Sequence, residues 1–351
     1  MVSCEPKSCL QSEARRLRDK QPKHVGRNIR LVKIAEAQQG SMPIVPKAPS
    51  VILAKSADEF IQQHLDQRIL EIERLFEADA ITFCGPLVFG VEAIIRATVE
   101  AKYAQRPRRR KLVIILTTNG GYLEVVRRAV DVLRAHYRLI EFIVPSYAYS
   151  AGTVFVMAGD AIHMDYYSRL GPIDPQIETK GGHQVPALGY LERYNDLIQK
   201  ATAGIITPAE VQLLIQGFDQ GELYHFSQAR DESIEVLKKW LVKYKFKNWK
   251  KTKSRKLKVT RQMKIDRAAA IANELNNTKR WYSHGYGISM DVLTQDREKI
   301  KLMIDDFGAT PELSDAIRTY DELLSDYLAK LRIRGVIHFA GAFLPFMMAG
   351  G

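Results

Sequence analysis

Two strand-to-helix turns made of small residues constrain this chain more than any other feature. The first is Thr118-Asn-Gly-Gly121, which ends an apolar run from Lys111 to Thr117 and opens a helical pattern from Tyr122 to His136. The second is Ser146-Tyr-Ala-Tyr-Ser150-Ala-Gly-Thr153, which follows the run Ile140 to Val144 and leads into a short apolar helix. Glycines at such a turn let backbone amides approach a ligand without a Cβ in the way. A Ser at a helix start sits among unpaired N–H groups and the positive end of the helix dipole, where developing negative charge is favoured. The two turns therefore suit an oxyanion cradle and a nucleophile.

Taken singly, each turn also fits plain packing, because small residues between a strand and a helix are common. The order carries more: strand, Gly-Gly, helix, strand, Ser-Ala-Gly, helix, strand, then Leu170-Gly-Pro-Ile-Asp-Pro-Gln176. Apolar runs alternate with helical patterns from residue 51 to about 217: a helix Asp58 to Glu77, a strand Ala80 to Cys84, a helix Val88 to Ala104 and the elements around the two turns. That alternation predicts an α/β class with a helix-covered sheet.

The segments Asn119-Gly-Gly-Tyr122, Val144-Pro-Ser-Tyr-Ala-Tyr-Ser-Ala-Gly-Thr153, Ala158-Gly-Asp-Ala-Ile-His-Met164 and Leu170 to Gln176 resemble the serine dehydrogenase proteinase family. That family is grouped with the Clp proteases and the signal-peptide-peptidase-A peptidases. Trp281-Tyr-Ser-His-Gly285 is similar to its C-terminal Trp-x-x-His region, and the resemblance runs from about Val51 to Gly308. It implies a Clp/crotonase-like fold, built of repeated ββα units, with a mainly helical C-terminal extension. It also implies peptide hydrolysis through an acyl-enzyme and assembly into a homo-oligomer.

Carried over residue by residue, the resemblance makes Ser150 the nucleophile. The Gly121 amide becomes one oxyanion donor, with Gly120 shaping the turn, and the Ala151 amide becomes the other. The base is less determined. A serine hydroxyl needs a partner to accept its proton, and Clp proteases use a His about 25 residues after the Ser. Here that window holds Pro172-Ile-Asp174-Pro-Gln and no His. Signal-peptide-peptidase-A relatives use a Lys farther along, which points to Lys200 at the end of an expected helix Pro186 to Lys200. To serve, Lys200 needs burial that lowers its pKa; the alternative is a Lys that complements the helix dipole. Lys180, His183 and His284 are the other candidates. Asp174 and Gln176, in a loop stiffened by two prolines, are expected to shape the cleft.

At 351 residues and 46% hydrophobic, the chain can bury one large core or two smaller ones. Residues 1–50 read as a basic tail and linker, 51–217 as the core, 218–334 as a helical extension and 335–351 as an apolar tail that docks. No signal peptide or membrane span is expected, so the cytoplasm is the default. Cys4, Cys9 and Cys84 show no disulfide or zinc spacing. No cofactor or metal is expected, and there is no phosphate-binding loop for a built-in ATPase. From Lys238 to Arg267, fourteen Lys/Arg face one acid, Asp266, a net of +13 in a chain of +12. Interleaved Trp240, Tyr244, Phe246 and Trp249 would suit nucleic acid, and the charge would suit acidic membrane. Their near-helical spacing fits rings packed inward on a solvated helix. Two other functions thus stay open: an acyl-CoA enzyme of crotonase type, and an inert scaffold that binds through this basic segment.

Because the first fifty residues show no sustained apolar face, a chain beginning near Val51 is expected to fold. Failure of that truncation to show cooperative unfolding would refute the expectation.

Overall fold

The computed structural model describes residues 56–105, 109–174, 176–178, 184–252, 256–281, 285–295 and 300–348. The elements are helix α1 (Ala57–Phe76), strand β1 (Asp79–Cys84), α2 (Val91–Ala104), β2 (Lys111–Thr117), α3 (Leu123–His136), β3 (Leu139–Ile143), β4 (Tyr147–Ala148) and α4 (Ala151–Val156). They continue with β5 (Ala161–Met164), β6 (Arg169–Leu170), β7 (Gln176–Glu178), β8 (Gln184–Pro186), α5 (Ala187–Thr202), α6 (Pro208–Gln216) and α7 (Gln220–Trp240). A π-helical turn, Leu241–Lys245, follows, then α8 (Arg261–Leu275), α9 (Thr278–Trp281), β9 (Ile288–Ser289), α10 (Met290–Thr294), β10 (Asp305–Asp306), α11 (Pro311–Leu331), β11 (Ile333–Phe339) and β12 (Ala342–Met348).

Seven strands form the main sheet in the order β10-β5-β3-β2-β1-β11-β12. From β10 to β1 the neighbours are parallel; β11 and β12 add antiparallel to the β1 edge. Strand β2 shows why helices cover both faces. Leu112, Ile114 and Leu116 point into one apolar cluster, with α2, α3 and α4. Val113 and Ile115 point into the other, with α1 and α11. A period of two on a sheet with both faces buried gives such a continuous apolar run.

Trp240, Phe246 and Ile271 belong to the same cluster as the sheet, so the helical extension shares the core of the α/β region. Within the segment 335–351, read as a docking tail, the described residues through Met348 pair instead as strands: Val336, Ile337 and His338 lie opposite Cys84, Phe83 and Thr82. Its apolar residues satisfy their backbone groups by extending the sheet, which a loosely docked tail could not do. The rings of the basic segment turn inward: Trp240 and Phe246 are buried, and Tyr244 stacks under the Arg134 guanidinium at 3.8 Å. Among the described residues no helix is long and apolar enough to cross a membrane, and no cluster of His, Cys, Asp and Glu could hold a metal ion.

At the amino end of β1 a buried ion pair ties α1 to α2. Lys102 Nζ lies 2.6 Å from Glu73 Oε1, which also accepts the Ala80 N–H at 3.0 Å, and both side chains are buried. Removing one partner of such a pair leaves an uncompensated charge in low dielectric. Lys102→Met is therefore expected to cost about 3–5 kcal/mol in urea unfolding. The double change Glu73→Gln, Lys102→Met, which keeps an acceptor for Ala80, should recover most of that loss.

Candidate active site

The site begins where β2 and β3 end, at the carboxyl edge of the parallel strands, the usual place for chemistry in an open α/β sheet. Thr118 donates its N–H to the Tyr147 carbonyl at 3.0 Å, and its carbonyl accepts the Tyr149 N–H at 2.9 Å. This short parallel bridge stitches the two turns side by side. The Thr118 hydroxyl accepts the Gly120 N–H at 3.0 Å and so shapes the first turn.

Both glycines have left-handed backbones, φ 98° at Gly120 and 147° at Gly121. A Cβ on Gly120 would stand 2.6 Å from the Tyr149 carbonyl oxygen, 3.0 Å from Ser150 Cβ and 3.2 Å from the Ala151 nitrogen. One on Gly121 would lie 2.2 Å from the Leu87 carbonyl oxygen. The Gly-Gly backbone is thus pressed against the Ser turn on one side and against Leu87 on the other. Leu87 holds it there, donating to the Gly120 carbonyl and accepting the Tyr122 N–H, each at 2.8 Å.

Ser150 caps α4 with φ 51° and ψ −118°, a conformation that costs a non-glycine residue roughly 1–3 kcal/mol. The surroundings impose it. The Tyr149 carbonyl accepts the Gly152 N–H at 2.8 Å, and the Thr153 hydroxyl donates to the carbonyls of Ala148 (2.8 Å) and Gly171 (2.9 Å). Among the described residues neither the Gly121 amide nor the Ala151 amide has an acceptor. One such N–H lies on each of the two turns that the Thr118 bridge holds together, and amides without acceptors are what a tetrahedral oxyanion requires.

Ser150 is 7% exposed, and its hydroxyl reaches the Asp174 carbonyl at 3.4 Å, a long and weak bond. The Asp174 carboxylate faces the other way and accepts the Leu188 N–H at 3.0 Å, so one residue links the nucleophile to the start of α5. Asp174 is 3% exposed, and burial raises its carboxyl to about 6, opposed by the Leu188 hydrogen bond and helped by Glu192. The sequence reading gave Asp174 only cleft shaping; the signal for more was a carboxylate between two prolines, next to the nucleophile.

Lys200 ends up elsewhere than its expected role requires. Its side chain is 41% exposed and pairs with Glu210 at 2.5 Å, which pulls that carboxylate down to about 2. Glu210 also closes the capping box of α6 with Thr207. The burial that the expected role calls for is not there, and the Lys200 amine sits against a carboxylate. Lys180, His183 and His284 lie outside the described residues. Trp281, from the C-terminal motif, is buried and donates its indole N–H to the Glu274 carbonyl at 2.8 Å.

Residues 56–203 match the ClpP-like SDH-type serine proteinases. This segment belongs to that family. In this segment the fold is ClpP-like, and it includes both turns and Ser150. Two uncharacterized proteins of Methanocaldococcus jannaschii are similar to the chain. One is 35% identical over 97 residues (28% of this chain, 31% of its own length); the other is 30% identical over 129 (35% and 41%). The chain thus spans well under half the length of these curated relatives. Two solved structures of the 1510-N membrane-bound stomatin-specific protease, both mutants and one with a substrate peptide, superpose with TM-scores of 0.37. They are 11% and 12% identical and cover 64% and 76% of this chain, and 77% and 84% of their own.

The folded-state pKa of Asp174 lies above its ordinary 3.8, so the native protein holds this proton more tightly than the unfolded chain does. The contribution is intact below the ordinary value and lost as pH rises through about 6. Asp174→Asn keeps an acceptor for Leu188 and removes the buried charge. It should be more stable than the parent near neutral pH by at most roughly 2–3 kcal/mol, the gap closing toward acid pH, as read by urea unfolding.

Proposed function

We propose that this chain is a serine endopeptidase that cleaves peptide bonds through an acyl-enzyme on Ser150. The observation that carries the proposal is the left-handed backbone of Ser150 beside two amides without acceptors. Such strain persists only where surrounding structure over-determines it, and it clusters at sites of chemistry. A base takes the hydroxyl proton as Ser150 Oγ attacks the peptide carbonyl, whose carbon–oxygen π pair moves to the oxygen, to be stabilised by the Gly121 and Ala151 amides. Collapse breaks the C–N bond, and the base passes its proton to the leaving amine. Water, giving a proton to the same base, then releases the acyl group as the proton returns to Ser150 Oγ. A pocket built only to polarise an acyl-CoA thioester has no need of a serine forced into this conformation. The inward-turned Trp240 and Phe246 weigh against a stacking scaffold.

The proposal assigns the base to Lys180 or His183. Lys200 would have to leave Glu210 and shed its charge before it could take a proton. Lys180 and His183 belong to the stretch between Asp174 and Leu188, whose two ends meet at the Asp174 carboxylate, while the Asp174 carbonyl touches the Ser150 hydroxyl. Homo-oligomeric assembly, carried over from the family resemblance, is part of the same proposal.

The test is covalent labelling by a fluorophosphonate. Labelling should vanish in Ser150→Ala and persist in Lys200→Ala. It should fall at least about a hundredfold in Lys180→Ala or in His183→Ala, the usual scale of general-base catalysis. Loss in Lys200→Ala with the fold intact would return the base to Lys200. No labelling of the parent chain would overturn the peptidase reading.

A further inference from the structure

Two large rings stand in solvent beside the oxyanion cradle. Phe89 is 61% exposed and Tyr122 47% exposed, and their centroids are 4.5 Å apart. Their position is tied to the cradle at every step. Tyr122 follows Gly121 directly and donates its N–H to the Leu87 carbonyl at 2.8 Å. Leu87 is fully buried and bridges Gly121, and Phe89 projects two residues beyond it. Phe89 immediately precedes the Gly90 cap of α2, and Tyr122 is the cap residue of α3. Arg128 on α3 reaches Glu124 at 3.1 Å and Glu92 on α2 at 3.6 Å, which ties the two helix starts together.

Exposed rings that pack on each other present apolar surface to water, a cost that normally marks a contact surface. Here the surface begins one residue from an amide that would hold the scissile carbonyl oxygen. We propose that Phe89 and Tyr122 form an aromatic wall that selects a large apolar or aromatic side chain on the substrate residue whose carbonyl is attacked. The wall rests on the hydrolase reading of Ser150 and adds the specificity that reading leaves unassigned. Its two rings are held by backbone bridges and an ion pair, so binding loses little ordering entropy to them.

The experiment compares two peptidyl diphenyl phosphonates that differ only in a benzyl or a methyl group on the carbon beside phosphorus. The parent should react at Ser150 about tenfold faster with the benzyl probe, the scale of discrimination a hydrophobic contact supplies. In Phe89→Ala, Tyr122→Ala and the double variant the ratio should fall toward one. An equal rate with both probes in the parent, or a ratio unchanged in the double variant, overturns the wall. A double variant that changes oligomeric state by light scattering, while the ratio stays as in the parent, assigns the rings to subunit contact and overturns it too. Reaction with neither probe removes the hydrolase reading, and the wall with it; reaction without preference removes the wall alone.

Discussion

The Thr118 bridge is the constraint on which the site depends. Two backbone hydrogen bonds, to the Tyr147 carbonyl and from the Tyr149 amide, continue the sheet's parallel pairing past the ends of its strands. They fix the Gly-Gly turn against the Ser turn at a separation that leaves no room for a Cβ on Gly120. The same residue closes the assembly from below, since a Cβ on Gly152 would meet Thr118 Cγ2 at 2.4 Å. Once these contacts are made, Ser150 has little choice of backbone angle. The strain is small beside the burial of α4, whose residues from Ala151 to Val156 are all buried.

The densest group of buried ions lies at the end of the sheet opposite the two turns. The buried ions gather at the amino end of β1: Glu73 with Lys102, Asp79 accepting the Tyr137 hydroxyl at 2.8 Å, and Arg109 donating to the carbonyls of Glu73 and Ala78. Around the two turns at the carboxyl end the polar groups are mainly backbone amides and hydroxyls, with the Asp174 carboxyl raised to about 6 by burial, while farther along that edge the buried Asp165 pairs with Arg318.

Much of this was legible in the sequence because it is local. The Gly-Gly and Ser-Ala-Gly turns, the strand from Lys111 to Thr117 and the Thr207-Pro208 helix start depend on neighbours a few residues away, and the structure places each at or within a residue of its expected bounds. What escaped depends on distant partners. The C-terminal run from Gly335 looks like a tail until β1, some 250 residues earlier, offers an edge to Val336, Ile337 and His338. Nor does the sequence around Lys200 announce that α6 folds back and presents Glu210 to it. Neither partner can be found by spacing, because no period in the sequence relates them. The strained angle at Ser150 is likewise a product of contacts, and only the small residues around it announce that something must fit closely there.

The basic segment shows how composition and structure part company. Fourteen cations with interleaved rings have the content of a nucleic-acid surface, yet recognition by stacking needs the rings outward. Trp240, Leu241 and Phe246 instead fill the core. The burial reaches Lys245 as well, whose amine is pushed down to about 8 by desolvation against the pull of Asp305, Glu141 and Asp160. A turn that buries one of its own cations is shaped by packing first. Outside the core, Lys243 lies 5.0 Å from the Tyr244 ring centroid, a ring that Arg134 already covers on the protein side at 3.8 Å.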